Sequence, residues 1–233
     1  MPVLLLSRGD QASRTLLKQA IEARYGHSPP MIETTKIDLK GRSRVKLPFT
    51  TTWMPVEATV YVKFPSAIRW DFTMRPVGLP VSNMSEAFDG SALRRTRVLR
   101  SSEVNTDTGL LHSLRARLWS MAVMLLTPLP DPSVEVRMLG ETTLVVENTQ
   151  TDIRVNLQLN ADKTVHQIGT VCFNPLTEKE QIYTLRATHG QELIGDIMFP
   201  RQIEVLWDDE VESELNPVSI ETNLSLDDSF FRI

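Results

Sequence analysis

The chain has 233 residues, 41% of them hydrophobic and 23% charged, with a formal net charge of -4. That length suits one large β domain with a substantial core, and the slightly acidic balance excludes a general polyanion binder. A single cysteine, Cys172, excludes an intrachain disulfide and a cysteine-based zinc cluster.

Too few apolar residues precede Arg8 to form the core of a secretory signal. The longest apolar stretch, 118–126, is about half a membrane span, so the expectation is a soluble chain with no visible export signal. Residues 10–25 predict an amphipathic helix, with Leu16, Leu17, Ala20 and Ile21 on one face and Gly26 and Pro29-Pro30 closing it. The period then changes to two. Residues 31–47 carry Ile32, Ile37, Leu39, Val45 and Leu47 among polar residues. In 57–64, Ala58, Val60, Val62 and Phe64 alternate with Thr59, Tyr61 and Lys63. After Pro65-Ser66, Ile68, Trp70, Phe72 and Met74 alternate with Arg69, Asp71 and Thr73, which predicts a hairpin. Residues 86–100 follow, with Asp89-Gly90 as a turn and Arg94, Arg95, Arg97 and Arg100 as a solvated face.

A second helix is predicted over 108–127, capped by Asp107 or Thr108. Leu110, Leu111, Leu114, Leu118, Met121, Ala122 and Leu125 form one wide apolar face. Arg115 and Arg117 stand in its first half, and the later turns are apolar nearly all round, as in a buried helix. Beyond Pro132 short strands recur at 134–138, 142–147, 152–159, 165–173, 181–188, 202–207 and 218–224. That spacing predicts one curved antiparallel sheet or partial barrel. The acidic run Asp208, Asp209, Glu210, Glu212, Glu214 reads as a solvated loop, and 225–233 as a short tail strand.

No catalytic signature is present. His27, His112, His166 and His189 include no pair at helical ligand spacing, and there is no nucleophile elbow, dinucleotide-binding glycine turn or P-loop. Asp89-Gly90 and Asp227-Asp228 lack the flanking oxygens of a calcium loop. Cys172, between Val171 and Phe173, reads as a small buried hydrophobe. The expectation is therefore binding without chemistry, metal or cofactor. Trp70, Phe72, Met74, Met121, Met124 and Met138 are adaptable apolar groups that could fill a core or line a cavity, and periodicity leaves both open.

The hairpin from Val60 to Thr73 resembles that of LolA/LolB-type lipoprotein carriers, in which an aromatic-containing strand ends in Lys-x-Pro and the next carries Arg or Asn before Trp. Phe88-Asp89-Gly90-Ser91 is similar to the family's Asp-Gly-Lys turn, and 183–200 to a strand, a Gly-x-x-Leu turn and a Pro-led strand of related periplasmic proteins. The likeness spans roughly residues 11–226. It departs from the family at Phe64, where the carriers have an arginine that latches the lid. The resemblance implies one domain over 1–233, with 1–10 an N-terminal segment and 225–233 a tail. The implied fold is mainly β, an incomplete antiparallel barrel with helices covering the concave face. It implies a cavity lined by Val60, Val62, Trp70 and Phe72 on the sheet and by Leu118, Met121, Ala122 and Leu125 on the helix. The implied ligand is an acyl chain or lipoprotein, carried in the periplasm without catalysis or nucleic acid, in concert with a membrane-bound partner protein. Two alternatives stand beside it: an interaction or sensor domain of the same fold with a filled core, and a hydrolase whose carboxylates are dispersed in sequence.

Overall fold

The computed structural model describes residues 7–26, 30–46, 50–74, 82–97, 102–127, 129 and 131–233. His27, Leu47 and Arg100 lie outside them. Helix α1 (Gln11–Tyr25) begins where the Asp10 carboxylate accepts the Ser13 N–H at 2.7 Å and ends at Gly26, which takes a positive φ of 65°. Its predicted face, Leu16, Leu17, Ala20 and Ile21, is buried.

Thirteen strands form one antiparallel sheet built as two meanders. The first runs outward from the middle: β1 (Thr34–Lys46), β2 (Thr51–Lys63), β3 (Ala67–Met74), β4 (Ser82–Phe88), β5 (Leu93–Arg97) and β6 (Glu103–Asn105). The chain crosses to the opposite edge through helix α2 (Thr108–Leu125). It then returns inward as β7 (Val134–Gly140), β8 (Thr143–Asn148), β9 (Ile153–Leu159), β10 (Val165–Asn174), β11 (Lys179–Ile194), β12 (Ile197–Trp207) and β13 (Glu210–Thr222). Strand β13 pairs with β1, and the edges β6 and β7 stay unjoined, so the sheet curls without closing. The fold is the mainly β, incomplete barrel that the sequence led us to expect.

The hairpin between β2 and β3 has the expected register, with Val60 opposite Trp70. Trp70 is buried, while Arg69 and Asp71 form a 3.0 Å ion pair on the other face. Helix α2 starts with the Asp107 carboxylate accepting the Leu110 N–H at 2.8 Å. Twelve of its 18 residues are buried, so it is an interior helix. Two residues of α1 secure its far end. The buried Arg24 donates to the Met124 carbonyl, and the Tyr25 hydroxyl donates to Leu125 O at 2.5 Å. A cation there complements the negative end of the helix dipole.

The structure corrects four readings. The acidic run is not a loop: only Asp208-Asp209 turn, and Glu210–Glu214 belong to β13. Those carboxylates meet basic residues of β1 from far away in sequence, Arg42 to Glu214 at 2.7 Å and Arg44 to Glu210 at 3.5 Å. Gly190 is not a turn. It sits in a register shift inside the long β11, and the chain reverses at Gly195. Strand β2 begins at Thr51, earlier than its alternation suggests, and pairs with β1 throughout. The tail is a 3-10 turn, Asp228–Phe231, instead of a strand. Its Phe230 ring lies 4.8 Å from that of Tyr61 and beneath the Arg69 guanidinium, and Phe231 is buried.

At the β4–β5 turn, Asp89 Oδ1 accepts from Ser91 N, Ser91 Oγ and Ala92 N, and Oδ2 accepts from Arg94 at 2.7 Å. Arg115 of α2 donates to the Gly90 carbonyl at 2.8 Å, which ties the turn to the crossover helix. Burial pushes the Asp89 carboxyl up, but the bonds from Ser91, Arg94 and Ala92 outweigh it and hold it well below the usual carboxylate range.

Two expected outcomes follow from this architecture. Far-UV circular dichroism should be dominated by strand, with helix far below the roughly one-third typical of globular proteins; a content above one third would contradict it. The stabilisation from Asp89 is present above its unfolded pKa of about 4 and is lost as the pH falls toward its lower folded value. Urea midpoints of wild type and Asp89→Asn should therefore differ clearly at pH 6 and converge toward pH 2. A gap that does not narrow would contradict the assignment.

Candidate functional site

Helix α2 packs chiefly on β9, β10 and β11 and α1 on β7 and β12, and between them part of the inner side of β1–β3 and of β11–β13 faces a void. The result is a cavity of about 390 Å³, toward the low end of small-molecule sites, which run roughly 300–1,000 Å³. The wall from the first meander is Ile37, Leu39, Val56, Ala58, Val60, Trp70 and Phe72. From the second come Tyr183, Leu185, Phe199, Ile203, Val205 and Leu215, and α2 adds Arg117, Met121, Met124 and Leu125. Residues on the strand floor such as Ile37, Val60 and Phe199 are buried, whereas Ser43, Val45, Met74, Met84 and Ser213 are half-buried and Leu176 is 77% exposed. Those residues form a rim open to solvent.

Of the eight candidate residues, Val60, Trp70, Phe72, Met121 and Leu125 line this cavity. Val62, Leu118 and Ala122 do not. Each is at most 1% exposed and belongs to the packed core. Val62 stands next to the β2–β3 turn, paired with Thr35 and Ile68. Leu118 and Ala122 point roughly 100° and 140° round the helix from Arg117, toward the sheet on which α2 packs.

The sequence expectation for the cavity named none of the lining residues of β11–β13, and it did not name Arg117 of α2. Its guanidinium lies 5.4 Å from the Trp70 ring centre and 5.3 Å from that of Tyr183, so it bridges β3 and β11 across the concavity with cation–π contact on both. Its Nε is buried and has no hydrogen-bond partner among the described residues. Burial works against the charge, but Tyr183, Glu212 and Cys172 outweigh it and keep the pKa above the ordinary arginine value. Burial raises the pKa of both Tyr183 and Cys172. Glu212, also on the cavity wall, accepts the Trp207 indole N–H at 3.0 Å. A signal for Arg117 does exist in the sequence. Counted at 3.6 residues per turn, it falls in the same stripe as Leu110, Leu114, Met121 and Met124, a charge where the pattern calls for an apolar group.

Cys172 is buried and free. His112 and His189 are exposed, and His166 is half-buried. The basic cluster is paired where it is described, Arg94 with Asp89 and Arg95 with Glu86 at 2.5 Å. Among the described residues no three His, Cys, Asp or Glu side chains gather as metal ligands, and no helix is long and apolar enough to cross a membrane.

No protein-family model matches the sequence, and no curated protein aligns with it significantly. Solved structures do resemble it. A LolA superfamily protein from Nitrosomonas europaea is 12% identical over 94% of this chain and 96% of its own, with a TM-score of 0.51. A DUF1329 family protein from Desulfovibrio piger is 9% identical over 95% and 98%, with a TM-score of 0.52. At such identities the likeness concerns the fold alone: the chain has a LolA-like fold.

The division between core and cavity should be visible in stability. Leu118→Ala should cost about 2–5 kcal/mol, the usual range for truncating a fully packed side chain. Met121→Ala, which enlarges an existing void beside a half-buried side chain, should cost less than half as much in urea unfolding. Equal losses would contradict the partition.

Proposed function

We propose that this protein binds an acyl chain non-covalently in the half-barrel cavity, and so carries a lipid or a lipoprotein's lipid anchor through an aqueous compartment such as the periplasm. The observation that carries the reading is the cavity itself: enclosed on its floor, open at its rim, and walled mainly by aliphatic, aromatic and methionine side chains. Methionines such as Met121 and Met124 on the helix side adapt to chains of different length and bend. A methylene is about the size of a water molecule, some 30 Å³ in the liquid, so the void has room for on the order of a dozen such groups. At about 0.8 kcal/mol for each methylene removed from water, a chain of that length offsets the several kcal/mol of ordering and association costs. Binding then needs no catalytic group, which accords with a non-enzymatic role.

Delipidated protein should bind a fluorescent fatty-acid analogue saturably, one per chain, at tens of micromolar or tighter. Ala58 lines the cavity between Leu39 and Phe72, and Ala58→Phe should fill it. Binding should weaken at least tenfold while the thermal midpoint stays the same or rises. No saturable binding by the wild type, or full binding by the filled variant, would overturn the reading.

A further inference from the structure

A guanidinium is an expensive group to place in a site that only has to hold hydrocarbon, because a buried charge loses its hydration and must recover it from partners. Arg117 recovers part of it from the Trp70 and Tyr183 rings at 5.4 and 5.3 Å, yet its Nε remains buried without an acceptor among the described residues. The protein's own acid on this wall, Glu212, is half-buried and accepts from Trp207 at 3.0 Å. The other cation on the wall, Arg44, is exposed and paired with Glu210 at 3.5 Å. Among the described residues, Arg117 is thus the one charged group on the cavity wall with a buried, unused donor. The two aromatic rings flank it, and its planar fork matches a carboxylate.

Building on the acyl-chain reading above, we propose that the cavity selects a single-chain amphiphile with a carboxylate head, a long-chain fatty acid, whose head accepts from Arg117. The tail then runs along Met121, Met124 and Leu125 of α2 against Val60 and Phe199 of the sheet. The cavity volume of about 390 Å³ suits one chain of moderate length rather than several. An apolar wall supplies affinity regardless of head group, and one convergent polar group fixes orientation and specificity.

The test compares palmitic acid, methyl palmitate and hexadecanol at pH 7.4, each displacing a fluorescent alkyl probe from the wild type, Arg117→Gln and Arg117→Lys. The wild type should prefer the acid over the ester and the alcohol by at least tenfold. Arg117→Gln should keep its affinity for the ester and lose the preference, and Arg117→Lys should retain part of it. Equal affinity for acid, ester and alcohol in the wild type overturns the carboxylate inference and leaves the acyl-chain reading standing. Failure of all three to displace the probe, or of the probe to bind, overturns both. If Arg117→Gln does not fold, the ligand comparison on the wild type still decides.

Discussion

One crossover dictates the rest of this structure. The first meander ends at one edge of the sheet with β6 and the second begins at the other edge with β7, so the intervening chain must traverse the concave face. Helix α2 makes that crossing in 18 residues, roughly 27 Å at 1.5 Å per residue. It must be apolar on nearly every side because sheet surrounds it, and its later turns are. Two helices, each about 10 Å across, share the hollow of the sheet, with the buried face of α1 against β7 and β12. Helix α2 seats itself against β9–β11, and the unfilled remainder is the cavity.

Holding the helix in place falls to polar groups at its two ends. Arg24 and Tyr25 of α1 satisfy its last carbonyls, and Arg115 in its first half grips the Gly90 turn. Across the sheet, β1 and β13 join the two meanders through backbone pairing reinforced by Lys36–Glu221 and Arg42–Glu214 ion pairs. Exposed pairs of this kind contribute little to stability individually, but they distinguish the right register from its neighbours. The inner wall is mainly apolar, and Arg117 stands on it between the Trp70 and Tyr183 rings.

Much of the fold was legible because its local signals agree with its global arrangement. The alternation of 57–64 and 68–74, the apolar face of 10–25 and the apolar later turns of α2 each state a period that the structure keeps. What stayed hidden depends on distance in sequence. The carboxylates of 210–214 look like a solvated loop until Arg42 and Arg44, more than 160 residues away, appear beside them. The cavity wall was legible where a strand residue faces inward, as Val60, Trp70 and Phe72 do. It was illegible for Val62, Leu118 and Ala122, because an inward-facing residue can meet either void or neighbour, and only the seat of α2 decides which. Arg117 was missed for a different reason. It was read only as a charge in the first half of the helix, although its helical phase places it among Leu114, Met121 and Met124.

The account stands or falls on where a chain lies when it is bound. An outer-face alternative exists in the molecule: Val171 and Ile182, paired across β10 and β11, are 61% and 51% exposed. Irradiating the delipidated protein with a terminal diazirine fatty acid and mapping the labelled peptides separates the two surfaces. The account predicts labelling within β2, β12 and the second half of α2, at residues such as Val60, Phe199, Met121 and Met124. Labelling concentrated at Val171 and Ile182, with these inner residues untouched, would contradict it.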